Sequence, residues 1–363
     1  MKTQKRIYAF HLLNDYSGSP KVLSQILKEW VKNGNETHLY TSLHQDGFLS
    51  NINGIKYHEG WYKFQKNPWL RLCFFTLSQL ILIIKMFHQI KKNDLVYINT
   101  VLPFGAALLG KIKGCEVIYH IHESTVNPQI LKCFLFGIVK QTANKIINVS
   151  KYVQQSHGIT NVKNHLVYNS IDNDFVKNIL PKKAETNYKN VLMVCSLKTY
   201  KGVYEFTRLA FDHPNFEFKL VLNAPQKDID DFFSSINMSE NISIYAAQKN
   251  LHPFFQWADV IVNLSKPDGW IETFGLTIIE GMAYGLPAIV PPIGGILEVI
   301  EEGLTGFSVD SRDTQQLNLI LSNVLKNKSQ YEKLSHAAFN RLQIFKEEFM
   351  LKNINEIVFQ NEY

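Results

Sequence analysis

Apolar positions along this chain follow two alternating periods. Arg6–Leu13 alternates and is apolar enough to be a buried first strand. Val22, Leu23, Ile26, Leu27, Trp30 and Val31 then recur at helical spacing. Gly34 ends that helix, and His38-Leu39-Tyr40-Thr41 starts a second strand. The same alternation predicts further strands at 94–99, Glu116–Ile121, 145–149 and 165–168, with Ser150 capping the helix after the third of these. Residues 173–189 are polar and lysine-rich, contain Pro181, and read as a linker. Strands resume at Asn190–Cys195, 218–223, Ile242–Tyr245, Val260–Val262 and Ala288–Val290. Beyond Val309 the spacing of Leu317, Ile320, Leu321, Val324 and Leu325 is helical, and 349–360 forms a last helix. Such βα alternation implies an α/β chain of two halves, each built on a parallel sheet.

The stretch 265–295, SKPDGWIETFGLTIIEGMAYGLPAIVPPIGG, is the densest in candidate chemistry. Leu276, Ile279, Met282 and Ala283 mark a helix, which Gly285-Leu286-Pro287 stops. Its start near Phe274-Gly275 leaves backbone N–H groups facing the preceding loop, and a helix end of that kind attracts anions. Gly275 admits a ligand close to the backbone. Glu280, about one and a half turns in, can accept hydrogen bonds from a pair of sugar hydroxyls. Glu272, in the loop, can reach another part of the same ligand. The plainer reading is that both are solvated surface charges; the flanking glycines and strands argue against it.

Other candidates lie at strand ends, where a doubly wound sheet binds ligands. The first loop, Asn14-Asp15-Tyr16-Ser17-Gly18-Ser19-Pro20, opens a βαβ unit but is no G-x-G-x-x-G fingerprint. Taken alone it is an ordinary turn with a cap. The strand Glu116–Ile121 runs into His122-Glu123, and His120 would point to the same side as His122. A hydrogen-bonded structural histidine is the competing reading for His122. Strand 190–195 runs into Ser196-Leu197-Lys198-Thr199-Tyr200-Lys201-Gly202, which places Lys201 in a loop at a strand end.

The segment holding Glu272 and Glu280 resembles the E-x7-E region of retaining glycosyltransferases of the large GT4 family, the "glycosyl transferases group 1" type. GLPAIVPPIGGILEVIEEGLTGFSV, after it, is similar to that family's next conserved run. The resemblance covers the second half strongly and the first half weakly. It implies the GT-B fold: two Rossmann-like domains facing each other across a cleft. Residues 1–172 would bind the acceptor and 190–345 the nucleotide-sugar, with 346–363 a helix crossing back to the first domain.

Residue roles follow from the same resemblance. Glu280 would bind the ribose, while Glu272 and the Phe274-Gly275 backbone would hold sugar and phosphates. Lys201 matches the lysine of the family's "G-R-L…K-G" loop, whose Arg and Lys clamp the diphosphate, and would neutralise it as it leaves. Ser196 stands where that loop more often has arginine, and Lys198 could replace it only as a point charge. Gly18 lies in the loop that the family places near donor phosphates and acceptor, although Gly18-Ser19 departs from the frequent Gly-Gly. Asn169 matches an Asn-Gly-(V/I)-Asp motif in which Ser170 replaces the glycine. His122 aligns with a histidine linked to catalysis. The glycosyl bond would be remade with retention, the leaving phosphate taking the acceptor proton, and domain closure would exclude water. Neither a D-x-D nor a histidine cluster at ligand spacing stands out, so no metal or other cofactor is expected.

Length and composition fit this picture. The chain's 363 residues suggest two domains, and 45% apolar with 19% charged residues suits a sizeable core. A formal net charge of +6, spread along the chain, is no nucleic-acid signature but suits an anionic donor or membrane surface. Cys73, Cys115, Cys133 and Cys195 sit in apolar surroundings without metal spacing and read as reduced core thiols of a cytoplasmic protein. MKTQKRIYAF leads straight into a strand, so no signal peptide is expected.

Segment 61–88 combines Trp61, Tyr62, Phe64, Trp69, Phe74 and Phe75 with Lys63, Lys66, Arg71 and Lys85. Its densest apolar part, 72–84, is too short to span a bilayer. It reads as a buried helix or as a basic-aromatic face lying on the inner side of a membrane, and both hold if one face is core and the other docks. The expected partners are therefore a nucleotide-sugar donor and a saccharide or lipid-linked acceptor, with peripheral membrane contact through the first domain and no nucleic acid. Surface polysaccharide synthesis is the expected setting. A non-catalytic scaffold of the same fold is the alternative that Ser196, Ser170 and Gly18-Ser19 leave open.

Overall fold

The computed structural model describes residues 5–43, 46–181 and 188–359; positions 182–187 of the expected linker and Gln360 lie outside the described residues. The chain forms two units. One holds the chain up to Tyr168 and takes it up again at Met350; the other is Asn169–Phe349.

Seven parallel strands build the first unit: β1 (Arg6–Leu13), β2 (Glu36–Ser42), β3 (Lys56–Glu59), β4 (Leu95–Asn99), β5 (Glu116–Ile121), β6 (Lys145–Asn148) and β7 (Lys163–Leu166). Their order is β3-β2-β1-β4-β5-β6-β7. β3 has no counterpart among the apolar runs because its residues, KYHE, carry no continuous apolar face. Tyr8, Phe10, Val96, Ile98, Val117, Tyr119 and Ile146 form the core, with helices packed on the sheet. The last helix, Glu347–Phe359, buries Ile354 and Val358. Trp30 Nε1 donates to Asn355 Oδ1 (3.0 Å) and Lys145 Nζ to the Ile357 carbonyl (2.8 Å).

Six parallel strands build the second: β8 (Asn190–Cys195), β9 (Glu217–Leu222), β10 (Ile242–Tyr245), β11 (Val260–Val262), β12 (Ala288–Val290) and β13 (Gly306–Ser308), ordered β10-β9-β8-β11-β12-β13. Val191, Met193, Phe206, Phe218, Leu220, Val260 and Ile289 lie in its core. In each sheet the order of strands turns back once, between β1 and β4 and between β8 and β11. Loops leaving the carboxyl ends of those pairs diverge there and leave a crevice in which α/β folds bind ligands.

Two local differences from the sequence reading have physical causes. Asn173–Lys177, inside the stretch read as linker, is helical because the Asp172 side chain accepts from Asp174 N at 2.7 Å. Ile171, nearly fully buried, donates its N–H to the Phe345 carbonyl, so the second unit begins after Tyr168 rather than after 172. The apolar helix in 61–88 is also longer than 72–84. It runs Pro68–Met86, capped by Asn67, with proline at its first position. At 19 residues and a mean hydropathy of 1.6 it is long and apolar enough to cross a membrane, which the shorter run is not.

Candidate active site

The second unit gathers its polar side chains at the β8/β11 switch point. Lys201 lies in the loop after β8, and Glu272 in the loop after β11. Lys201 Nζ sits 2.5 Å from Glu272 Oε1. The same oxygen accepts from Ser265 Oγ at 2.7 Å and Asn263 Nδ2 at 3.2 Å. Burial alone would raise the Glu272 carboxyl. The charge of Lys201, then hydrogen bonds from Lys201, Ser265 and Asn263, outweigh it and hold the group below its ordinary value. Lys201 also stands 4.9 Å over the Trp270 ring, which stacks on Tyr200. Beneath the pair, burial pushes the Cys195 thiol up to about 12, so it stays protonated.

Close backbone contact fixes these loops. Gly202 adopts φ +77°, and a Cβ there would lie 2.2 Å from the Leu264 carbonyl oxygen. Gly294, of the Pro-Pro-x-Gly-Gly run after β12, adopts φ +111°, and its Cβ would lie 2.4 Å from the Glu272 carbonyl oxygen. Only glycine fits either position. Three successive strand ends are thereby locked around one carboxylate.

The helix expected near Phe274-Gly275 is Leu276–Met282, with Gly275 as its N-cap. Phe274 is buried, its ring edge-on to Phe345 at 5.7 Å, so its backbone rather than its ring faces the loop. Glu280, in the middle of the helix, is only 5% exposed, which removes the solvated-charge reading. Ser196 and Lys198 belong to the Lys201 loop, where Lys198 N donates to the Ser196 carbonyl and Lys201 N to the Lys198 carbonyl. Asn169 is buried, and its Oδ1 has no hydrogen-bond partner among the described residues.

Gly18 and His122 belong to the first unit. Asn99, at the end of β4, is fully buried and joins three segments there. Its Nδ2 donates to His11 Nδ1 (3.0 Å) and to the Ser19 carbonyl (3.2 Å), next to Gly18, which opens the helix Gly18–Lys32. Its Oδ1 lies 3.0 Å from His122 Nε2, which places the imidazole proton on Nε2 in this arrangement. His120 and His122 are 4.4 Å apart, but their environments differ. His120 is fully buried, with Nδ1 on the Tyr97 hydroxyl, while His122 is partly exposed past the strand end.

Burial lowers the imidazoles here, His11 to about 4 and His120 to about 3. Burial, then the neighbouring His120 and His11, takes His122 well below its ordinary value. Glu123 moves the other way. Burial raises it to about 7 against hydrogen bonds from the N–H groups of Val101 and His122 and from the Thr100 hydroxyl. Thr100 itself has φ +77°, a left-handed conformation that a β-branched residue rarely adopts.

Asn99, Thr100, Ser265 and Asn263 carry these sites, yet no spacing rule singles them out. Their one sequence signal is position: each lies at or just beyond the end of an apolar run. Among the described residues no three His, Cys, Asp or Glu side chains stand together as metal ligands. Of the four cysteines read as core thiols only Cys115 is fully in the core; Cys73 and Cys133 lie on exposed faces of apolar helices, where an apolar neighbourhood in sequence does not mean burial.

Comparison with known proteins bears on the family and the fold. Residues 16–175 match the family model described as Glycosyltransferase Family 4, and residues 175–341 match Glycosyl transferases group 1. An uncharacterized glycosyltransferase of Methanocaldococcus jannaschii is 24% identical, over 79% of this chain and 84% of that protein. The N-acetyl-alpha-D-glucosaminyl L-malate synthase of Bacillus anthracis is 23% identical, over 82% of this chain and 81% of its own. The crystal structure of Anabaena HepE with UDP and glucose superposes with a TM-score of 0.78 at 17% identity, covering 97% of this chain and 99% of HepE. The fold is GT-B, built of two Rossmann-like domains. Matched from residue 16 to residue 341 by the two models in succession, the chain belongs to the glycosyltransferases of family 4, group 1 type.

Proposed function

We propose that this glycosyltransferase transfers a hexosyl group from a UDP- or GDP-sugar to a saccharide or lipid-linked saccharide acceptor, with retention at the anomeric carbon. The setting would be surface polysaccharide synthesis at the cytoplasmic side of a membrane. The observation that carries the reading is the Lys201–Glu272 pair at the β8/β11 switch point, 2.5 Å apart. A lysine already held in a part-buried, polar crevice is placed to meet the charge that grows on a diphosphate as the glycosidic bond breaks. Ser265 and Asn263 keep hold of Glu272 when Lys201 turns to the diphosphate, so the carboxylate stays ionised and free to accept from sugar hydroxyls.

Other residues take supporting parts in this proposal. Glu280 binds the ribose, and the backbone of Phe274-Gly275, with Ser196 and Lys198, lies along the phosphates. Gly18 and Asn169 complete the donor contacts. His122, kept neutral by burial, serves as a hydrogen-bonding group toward the sugar rather than as an acid. Lys201 supplies the positive charge, and the reaction runs without added metal. UDP in the HepE complex supports a uridine donor.

The test is nucleotide release from a panel of UDP- and GDP-sugars in the presence of a chelator, with the product anomer assigned by NMR. Release of UDP or GDP with the donor's configuration preserved supports the proposal. Absence of any UDP or GDP affinity by calorimetry would overturn it in favour of a non-catalytic scaffold.

A further inference from the structure

The helix Pro68–Met86 is amphipathic the wrong way round. Its inward face carries Phe75, Leu82 and Met86 but also Ser78 and Gln79, all buried. These two polar side chains are satisfied inside: Ser78 Oγ donates to the Phe75 carbonyl, Gln79 Nε2 donates to Ser78 Oγ, and Gln79 Oε1 accepts from Gly105 N at 3.0 Å. Its outward face carries Trp69, 81% exposed, and Ile84, 73% exposed, with Leu77 and Leu80 between them. At 100° per residue these four fall in one strip roughly a quarter of the circumference wide, flanked by exposed Leu70 and Leu72. Rotating the helix to hide the strip would break the Gln79–Gly105 bond and leave buried polar groups unpaired. The apolar face therefore has to point outward.

The charges of its own segment have one sign, and one acidic residue from outside it lies alongside: exposed Glu59, whose carbonyl accepts from Lys85 Nζ at 3.2 Å. Between residues 61 and 92 there are six basic residues, Lys63, Lys66, Arg71, Lys85, Lys91 and Lys92, and no acidic one. The Arg71 guanidinium lies 4.5 Å from the centroid of Phe64, itself exposed. A neighbouring helix, Gln129–Thr142, also exposes apolar side chains, Ile130 and Phe134, and is joined to this one through the buried rings of Phe75 and Phe104.

We propose that this face docks on an anionic lipid bilayer, the helix lying along the surface rather than crossing it. A lipid surface is the occupant that matches an apolar strip ending in tryptophan whose own segment, 61–92, carries six cations and no acid. Tryptophan favours the interface, leucine and isoleucine enter the acyl boundary, and lysine meets anionic headgroups. Crossing is incompatible with this fold. It would pull Phe75, Leu82 and Met86 out of the first unit's core and carry Gln79 into hydrocarbon. The inference stands on the first unit alone and goes beyond the donor chemistry proposed for the second.

Co-sedimentation of the full chain tests it, with vesicles of phosphatidylcholine alone and vesicles of equal parts phosphatidylcholine and phosphatidylglycerol. The chain should pellet with the second and largely stay in solution with the first. In the variant Trp69→Ser/Leu80→Ser/Ile84→Ser, partitioning to anionic vesicles should fall by at least roughly tenfold. Lys63→Glu/Lys66→Glu/Lys92→Glu should lose the preference for anionic lipid. All six positions are exposed, so both variants should keep the wild-type melting curve and any UDP-induced thermal shift. Wild-type chain that stays soluble with both vesicle types would overturn the proposal. So would a serine variant that pellets like wild type, or a wild-type dimer that the serine variant dissolves without any vesicle binding.

Discussion

The two sheets offer the same place, and the sequence fills it with opposite electrostatics. At the β8/β11 switch point a cation and an anion lie 2.5 Å apart, and Glu272 stays ionised although buried. At the end of β4, beside the β1/β4 switch point, Asn99, His11, His120, His122 and Glu123 crowd together with no ion pair among them, the Asp15 charge acts only weakly on His11, and burial drives every titratable member toward its neutral form. Topology chooses the site; neighbouring donors and charges decide whether it is ionic. Burial penalises charge in both, and Lys201 is what reverses the outcome in the second.

Removing Lys201 should therefore have the largest effect, and on two measurements. Lys201→Met should lower donor turnover by about a hundredfold or more. It should also lower the urea-unfolding free energy by roughly 3 kcal/mol, because Glu272 is left with an uncompensated charge. Lys201→Met/Glu272→Gln should recover most of that stability and none of the turnover. His122→Ala leaves no orphaned charge and should change stability by only about 1 kcal/mol. Equal stability losses at the two sites would break the contrast.

Backbone conformation sharpens it next. Gly202 and Thr100 share φ +77°, one in the loop after β8 and the other just after β4. Gly202 needs that conformation without a Cβ, which would meet the Leu264 carbonyl oxygen at 2.2 Å. Gly202→Ala should lower the unfolding free energy by about 2 kcal/mol or more, measured in urea, since the carbonyl belongs to backbone and cannot swing away. An unchanged midpoint would mean that the loop is softer than its contacts imply.

Much of the fold and part of the site were legible in the sequence. Continuous apolar runs such as Val260–Val262 and Ala288–Val290 announce buried parallel strands, since both faces are covered. Lys201, Glu272 and Glu280 stand out through a run of matching residues that extends far beyond each of them. What pairs them was not legible, because Lys201 and Glu272 are 71 residues apart and meet only once β8 and β11 lie side by side. Thr100 escaped for the opposite reason: a positive φ is foreseen at glycine, and here a β-branched residue carries it. For Pro68–Met86 the sequence offered both a core face and a docking face but not which residues form each, because an apolar stripe at helical spacing signals core, and the Gln79–Gly105 bond marks the inner side.

The last of the effects appears only as a slope with pH, and its sign differs between the sites. A carboxyl raised from 4.5 to about 7, as in Glu123, keeps in the folded chain a proton that the unfolded chain has already released. Its contribution to stability is full below 4.5 and is lost as pH rises through 7. His11 and His120 oppose it. With folded values near 4 and 3 against 6.5 unfolded, they favour the folded state more as pH climbs toward 6.5. The terms overlap in the wild type, so Glu123→Gln, which fixes the neutral form, isolates one of them. Its stability relative to wild type should grow between pH 4 and pH 7.5 by roughly 3 kcal/mol. Glu272 is lowered, so its contribution is present above 4.5 and disappears in acid. Relative to wild type, Glu272→Gln should therefore lose ground as pH rises from acid. Urea midpoints taken across that range give both slopes, and two slopes of the same sign would show that burial, not the presence of Lys201, governs both carboxyls.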